Sequence, residues 1–158
     1  MTKLQFLRTP FFFLSPLFSI LAMPCLAGGE SQPIRLGIIG LDTSHVTAFT
    51  QYINDASNAS GCKVIAAFPG GSPDIPSSAN RVEQYTNQLR DEFGVEMVDS
   101  IEQLCEMVDG ILLESVDGRP HLDQIKPVLK AGKPVFVDKP VAGSLEDALE
   151  IYRLAESY

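Results

Sequence analysis

The side chains of this sequence that can move a proton or hold a charged ligand gather in a few short stretches. Asp42 and His45 stand three residues apart, just after the apolar run 34–40. Glu114 and Asp117 follow a second apolar run that starts at Gly110, with His121 a little beyond. Asp138, Lys139 and Pro140 close a third run that starts at Pro134. Both histidines of the chain fall in these stretches. An imidazole takes up and releases protons near neutrality, a neighbouring carboxylate orients it, and a lysine ammonium adds donors and positive charge. Together such groups suit general acid/base work. Four carboxylates and two imidazoles at one place could instead hold a divalent cation. A plainer arrangement competes with both: Asp42 caps a helix, His45 packs below it, and Glu114 and Asp117 are solvated. No metal ligand is assigned on spacing alone.

Residues so far apart meet only if the elements between them return the chain to one edge. Residues 34–40 are short and almost continuously apolar, as in a strand buried on both faces. Thr43 or Ser44 can cap a helix carrying Val46, Phe49, Tyr52 and Ile53 at helical spacing. A second strand spans 63–68, a loop with three prolines and two glycines 69–78, and a helix 81–93 ended by Gly94. A short strand at 95–98 follows. Ser100 with Gln103 opens a helix through Leu104 and Val108 in a capping-box pattern. Strand 110–114, helix 120–131, strand 134–138 and a helix capped by Ser144 complete the chain, the last with Leu145, Ala148, Leu149 and Tyr152 on one face. Strand–helix alternation of this kind predicts a doubly wound parallel sheet in a three-layer α/β/α arrangement, strand order 3-2-1-4-5. A ligand crevice is then expected where strands 1 and 4 diverge, beyond their carboxyl ends.

The chain has 158 residues and a net charge of −8, 45% apolar and 20% charged, so it reads as one folded domain and not as a disordered one. The acidic balance and the absence of basic runs exclude a nucleic-acid partner. Three cysteines without zinc-finger spacing exclude a disulfide scaffold and a cysteine-built zinc site, and Cys62 and Cys105 read as free core thiols. Lys3 and Arg8 precede an uncharged stretch that reaches Glu30 and includes Cys25-Leu26-Ala27. This pattern is expected of a secretory signal, residues 1–27, removed after Ala27; 28–33 are a linker and 34–158 the domain. Export to the periplasm or beyond is therefore expected, with no stable membrane span after cleavage. An uncleaved anchor is the competing reading, disfavoured by Pro16 and Pro24.

Arg35-Leu36-Gly37-Ile38-Ile39-Gly40, His121, and the run Ala131-Gly132-Lys133-Pro134-Val135-Phe136-Val137-Asp138-Lys139-Pro140 resemble, in this order, the Gfo/Idh/MocA oxidoreductases. The last run is similar to the family's Glu-Lys-Pro segment, with Asp138 in place of the glutamate. The resemblance implies a Rossmann-like domain binding NAD or NADP, with a small-molecule substrate bearing a sugar or cyclitol hydroxyl. It assigns Lys139 the catalytic acid/base role beside the nicotinamide. It places Gly40, Asp42, Thr43, Ser44 and His45 at the pyrophosphate turn and Gly70 and Ser72 at the adenosine ribose, and it counts Glu114, Asp138 and Pro140 among the cofactor-binding residues. The family's Gly-x-Gly-x-x-Gly here reads Gly40-Leu41-Asp42-Thr43-Ser44-His45. Asp42 thus sets a carboxylate where phosphates would sit, and Pro69-Gly70-Gly71-Ser72 offers no acid and no arginine, only a turn able to accept a 2′-phosphate. Family members continue into a substrate domain, so the chain ending at Tyr158 is expected to be catalytically incomplete by itself. The alternative is a non-catalytic extracytoplasmic module whose acidic crevice takes a metal or a polyol. Oligomeric state is not assigned.

Overall fold

The computed structural model describes residues 32–158; the expected signal 1–27 and most of the linker lie outside them. Five strands form one parallel sheet: β1 (Ile34–Ile39), β2 (Cys62–Phe68), β3 (Glu96–Met97), β4 (Gly110–Leu113) and β5 (Val135–Val137). Their order is β3-β2-β1-β4-β5, as expected from the sequence. Four helices connect them, α1 (His45–Asn54), α2 (Pro76–Phe93), α3 (Ile101–Met107) and α4 (His121–Lys130), and a fifth, α5 (Leu145–Ala155), follows β5.

Successive residues of a strand point to opposite faces, and β1 divides the core in this way. Ile38 joins Leu41, Val46, Val64 and Leu89 in the layer beneath α1 and α2. Ile39 joins Leu104, Ile111, Leu113 and Ile125 in the layer beneath α3 and α4. α3 lies so close to β1 that a Cβ on Gly37 would come within 2.9 Å of the Leu104 side chain. The three-layer arrangement follows from apolar strands that need cover on both faces.

Local signals set most boundaries. Ser100 accepts from the Gln103 amide and Ser144 from the Asp147 amide, both as N-caps. Gly94 ends α2 with a positive φ of 66°. Four details differ from expectation. α2 starts at Pro76 and not at residue 81, because proline is favoured in the first helical turn, where its missing N–H has no partner to lose. A 3-10 turn, Ala56–Asn58, follows α1, with Asp55 accepting from the Ser57 amide. Ser44 is the N-cap of α1 but makes no side-chain cap, and Thr43 Oγ1 accepts instead from the His45 amide at 3.3 Å. On α5, Ile151 is buried while Leu145, Leu149 and Tyr152 are exposed, so the expected apolar stripe is not the packed face. Cys105 is buried and Cys62 half-buried, both free. No described helix is long and apolar enough to cross a membrane.

Leu104 is fully buried between α3 and β1. Leu104→Ala is therefore expected to cost about 2–5 kcal/mol, as emptied leucine sites do. Urea denaturation checks this through a lowered midpoint at unchanged slope.

Candidate functional site

The carboxyl ends of β1, β2, β4 and β5 empty into four segments, 40–44, 69–75, 114–120 and 138–144. Neighbouring strands lie about 4.8 Å apart, so a contact between segments from two strands that flank a third must cross the third strand's end. Two such crossings occur.

The first spans the end of β1. Ser72, after β2, donates its hydroxyl to Asp117 Oδ2, after β4, at 2.5 Å. Arg119 Nε donates to the same carboxylate, while its terminal nitrogens grip Asp74 at 2.9 and 3.0 Å. The Arg119 guanidinium holds Asp117 well below the ordinary carboxylate range, against burial, with Ser72 helping. Asp42, after β1, is fully buried here. Its Oδ2 accepts from Ser78 Oγ at 2.5 Å and its Oδ1 from the Val116 amide at 3.1 Å. Ser78 Oγ accepts in turn from the Ser72 amide at 2.8 Å. Only glycine suits position 40: φ is +87°, and a Cβ would stand 2.3 Å from Ser115 Oγ.

The second crossing spans the end of β4. His45 Nδ1, from the first turn of α1, lies 2.6 Å from Asp138 Oδ2, after β5. Lys139 Nζ donates to the same oxygen at 3.2 Å. The His45 ring rests on Phe49 at 5.4 Å between centroids, and Phe49 meets Phe136 of β5 edge-on at 6.5 Å. Burial opposes ionisation of Asp138, but bonds from the Lys139 amide, His45 and the Lys139 ammonium outweigh it and keep the group below its ordinary value. Glu114, at the end of β4, is only 1% exposed, and neither of its oxygens has a hydrogen-bond partner. Burial pushes its carboxyl up to about 8, with the Asp138 charge adding to the effect and Lys139 opposing it. His121 holds the frame: its buried ring lies 2.9 Å from the Ser115 carbonyl and 3.1 Å from that of Val141.

The sequence model of the oxidoreductase family with an NAD-binding Rossmann fold matches residues 34–158. The chain belongs to the Gfo/Idh/MocA family. An uncharacterized protein of Saccharomyces cerevisiae is 25% identical over 139 residues, covering 80% of this chain and 34% of its own length. The fold is shared with a dehydrogenase (MviM) of Clostridium difficile, at 25% identity and a TM-score of 0.59, covering 78% of this chain and 36% of the other. The WlbA dehydrogenase of Bordetella pertussis, solved with NADH and UDP-GlcNAcA, aligns with a TM-score of 0.60 at 19% identity, over 79% of this chain and 35% of its own. The chain thus spans about a third of the length of these relatives.

This Gfo/Idh/MocA domain treats the expected site residues unequally. His45, Glu114, Asp138 and Lys139 come together at the second crossing. Asp42, Ser72 and Asp117 are bound up in the first: Asp42 turns inward to Ser78 and does not cap α1, and Ser72 gives both its amide and its hydroxyl to internal partners. Ser72 is therefore not presented to a 2′-phosphate as expected. Gly70 gives its carbonyl to the Leu41 amide. Lys139 is 74% exposed and ion-paired with Asp138, and its bond to Pro140 is cis. Among the described residues no group of three or more His, Cys, Asp or Glu side chains is placed to hold a metal. Ser78, Asp74 and Arg119 escaped the sequence reading, since nothing local marks partners tens of residues away.

A dinucleotide's diphosphate is held at a helix N-terminus after the first strand. The start of α1 fits that need: it has no side-chain cap from Ser44, no acid in its first turn, and the Asp42 charge faces Ser78 and Val116 instead. Thr43 and Ser44 lie at this helix start, and His45, Asp138 and Lys139 meet across the end of β4.

Two expectations follow. Ser78→Ala removes one donor from a buried charge and should cost about 1.5–3 kcal/mol, read by urea denaturation. Glu114 titrates near 4.5 when unfolded and near 8 when folded. The folded state therefore keeps a proton that the unfolded state releases, and stability is full below about pH 4.5 and falls as pH rises toward 8. Thermal melts across this window should show that loss in the natural chain and a flatter profile in Glu114→Gln; parallel profiles would refute the assignment.

Proposed function

We propose that this chain is the cofactor-binding module of an NAD(P)-dependent oxidoreductase acting on a hydroxyl of a small polar substrate, a sugar or cyclitol. The observation that carries the reading is the convergence of Lys139, Asp138 and His45 at the carboxyl ends of β1, β4 and β5, the edge where this fold class binds ligands. The relative solved with NADH and UDP-GlcNAcA supports both the cofactor and the substrate class. A bound nicotinamide would supply the acceptor or donor of a hydride. Gly40, Thr43 and Ser44 would hold the diphosphate just ahead of α1, and Glu114, Asp138 and Pro140 would border the nicotinamide side. Lys139, exposed on a long stem, reaches the substrate oxygen as a hydrogen-bond donor. Export directed by residues 1–27 belongs to the same proposal and would place the reaction outside the cytoplasm.

A second reading is a polyol-binding module without redox chemistry. It is favoured by the Ser72–Asp117 crossing, which occupies the β2-side groups that would otherwise meet the adenosine ribose.

NADH fluorescence titration of the protein separates the two. Saturable binding supports the oxidoreductase, and no binding at millimolar NADH or NADPH overturns it. Lys139→Ala should leave NADH affinity within a few-fold and, in a protein that carries this domain together with a substrate domain, lower turnover by about 10²–10⁴, the usual span for a lost acid/base group. Stopped-flow and steady-state rates over a panel of sugars and cyclitols measure the second effect.

A further inference from the structure

We infer that His45 is the proton acceptor of this site, held for that task by Asp138, and that the Lys139 ammonium stabilises the oxyanion which the transfer creates. The inference deepens the proposed function by dividing a role that the family resemblance gives to Lys139 alone.

The geometry is that of an oriented imidazole. Asp138 Oδ2 lies 2.6 Å from His45 Nδ1, and an ionised carboxylate only accepts. Nδ1 therefore carries the proton, and the lone pair falls on Nε2. Among the described residues Nε2 takes no hydrogen bond, and the side chain is one-third exposed at the crevice rim. Phe49 fixes the ring plane from below. His121 differs in both respects, being fully buried with each nitrogen beside a backbone carbonyl. Lys139 cannot fill the acceptor role as it stands here, because an ammonium has three donors and no lone pair, and this one is ion-paired with Asp138.

The groups around the pair agree with this division. Glu114 lies beneath the crossing as a buried carboxyl with no hydrogen-bond partner, so it adds no second acceptor for the imidazole. Asp138 is bonded to both His45 and Lys139, and its charge offsets the imidazolium that forms. The step is a proton transfer alone. The substrate's O–H bond breaks, an Nε2–H bond forms, and the electron pair stays on the alkoxide oxygen beside Lys139 Nζ. In the reverse direction the imidazolium returns the proton.

The test reads His45 directly and needs neither cofactor nor substrate. Long-range proton–nitrogen NMR of the protein, in buffer where the imidazole is neutral, should show His45 protonated on Nδ1 and bare on Nε2. Asp138→Ala should move it toward the Nε2-protonated form that free imidazole prefers. Diethyl pyrocarbonate, followed by peptide mass spectrometry, should acylate His45 in the natural chain and not His121, and several-fold more slowly at His45 in Asp138→Ala. Nε2 protonated in the natural chain, or a tautomer and acylation rate unchanged by Asp138→Ala, overturns the inference. If NADH fails to bind while both readings come out as expected, the oxidoreductase reading fails and the proton acceptor stands.

Discussion

A carboxylate taken out of water must be paired, since leaving its charge unsatisfied costs more than a domain of this size can absorb. Asp42 imposes that demand at the carboxyl end of β1. Its two oxygens recruit the Ser78 hydroxyl from α2 and the Val116 amide from the β4 side, so loops from both strands flanking β1 are drawn in. Ser72, Asp117 and Arg119 complete the connection above it. Position 42 is thereby turned from an open approach for a phosphate into an internal anchor. What looks in sequence like a negative charge in the ligand's path is spent within the protein, and the start of α1 stays available.

Glu114 makes the opposite case only one strand away. It is as buried as Asp42 and has no hydrogen-bonding partner, so it stays protonated through neutral pH. Two buried carboxyls at neighbouring strand ends thus differ in their surroundings, since one has hydrogen-bond donors and the other has none. The pairing of His45 with Asp138 across β4 places a charged, partly exposed couple above a neutral, buried acid. Acid/base chemistry needs that division between groups that titrate and groups that do not.

The alternation of apolar runs and amphipathic stretches was enough to give strand order and layers, because a parallel sheet needs right-handed crossovers and cover on both faces. The caps at Ser100 and Ser144 and the glycine stop at position 94 were equally legible, being contacts within three to five residues. The exposed stripe on α5 was not, because periodicity marks an apolar face without saying whether anything covers it. The start of α2 at Pro76 was missed because the proline was read as a breaker, when in a first turn it is compatible with the helix.

For the site, residue types and strand-end positions were determined by the sequence itself: His45, Glu114, Asp138 and Lys139 had to share one edge once the sheet order was set. Which of the acids would meet which donor was decided only in three dimensions. Asp42 lies 36 positions from Ser78 and His45 lies 93 from Asp138, and no local pattern encodes such a choice. Hydrogen bonds of about 3 Å depend on loop paths that differ by less than one strand spacing. The sequence therefore determines the edge at which chemistry can occur, and tertiary packing decides which carboxylate is an anchor, which is a neutral acid and which orients a base.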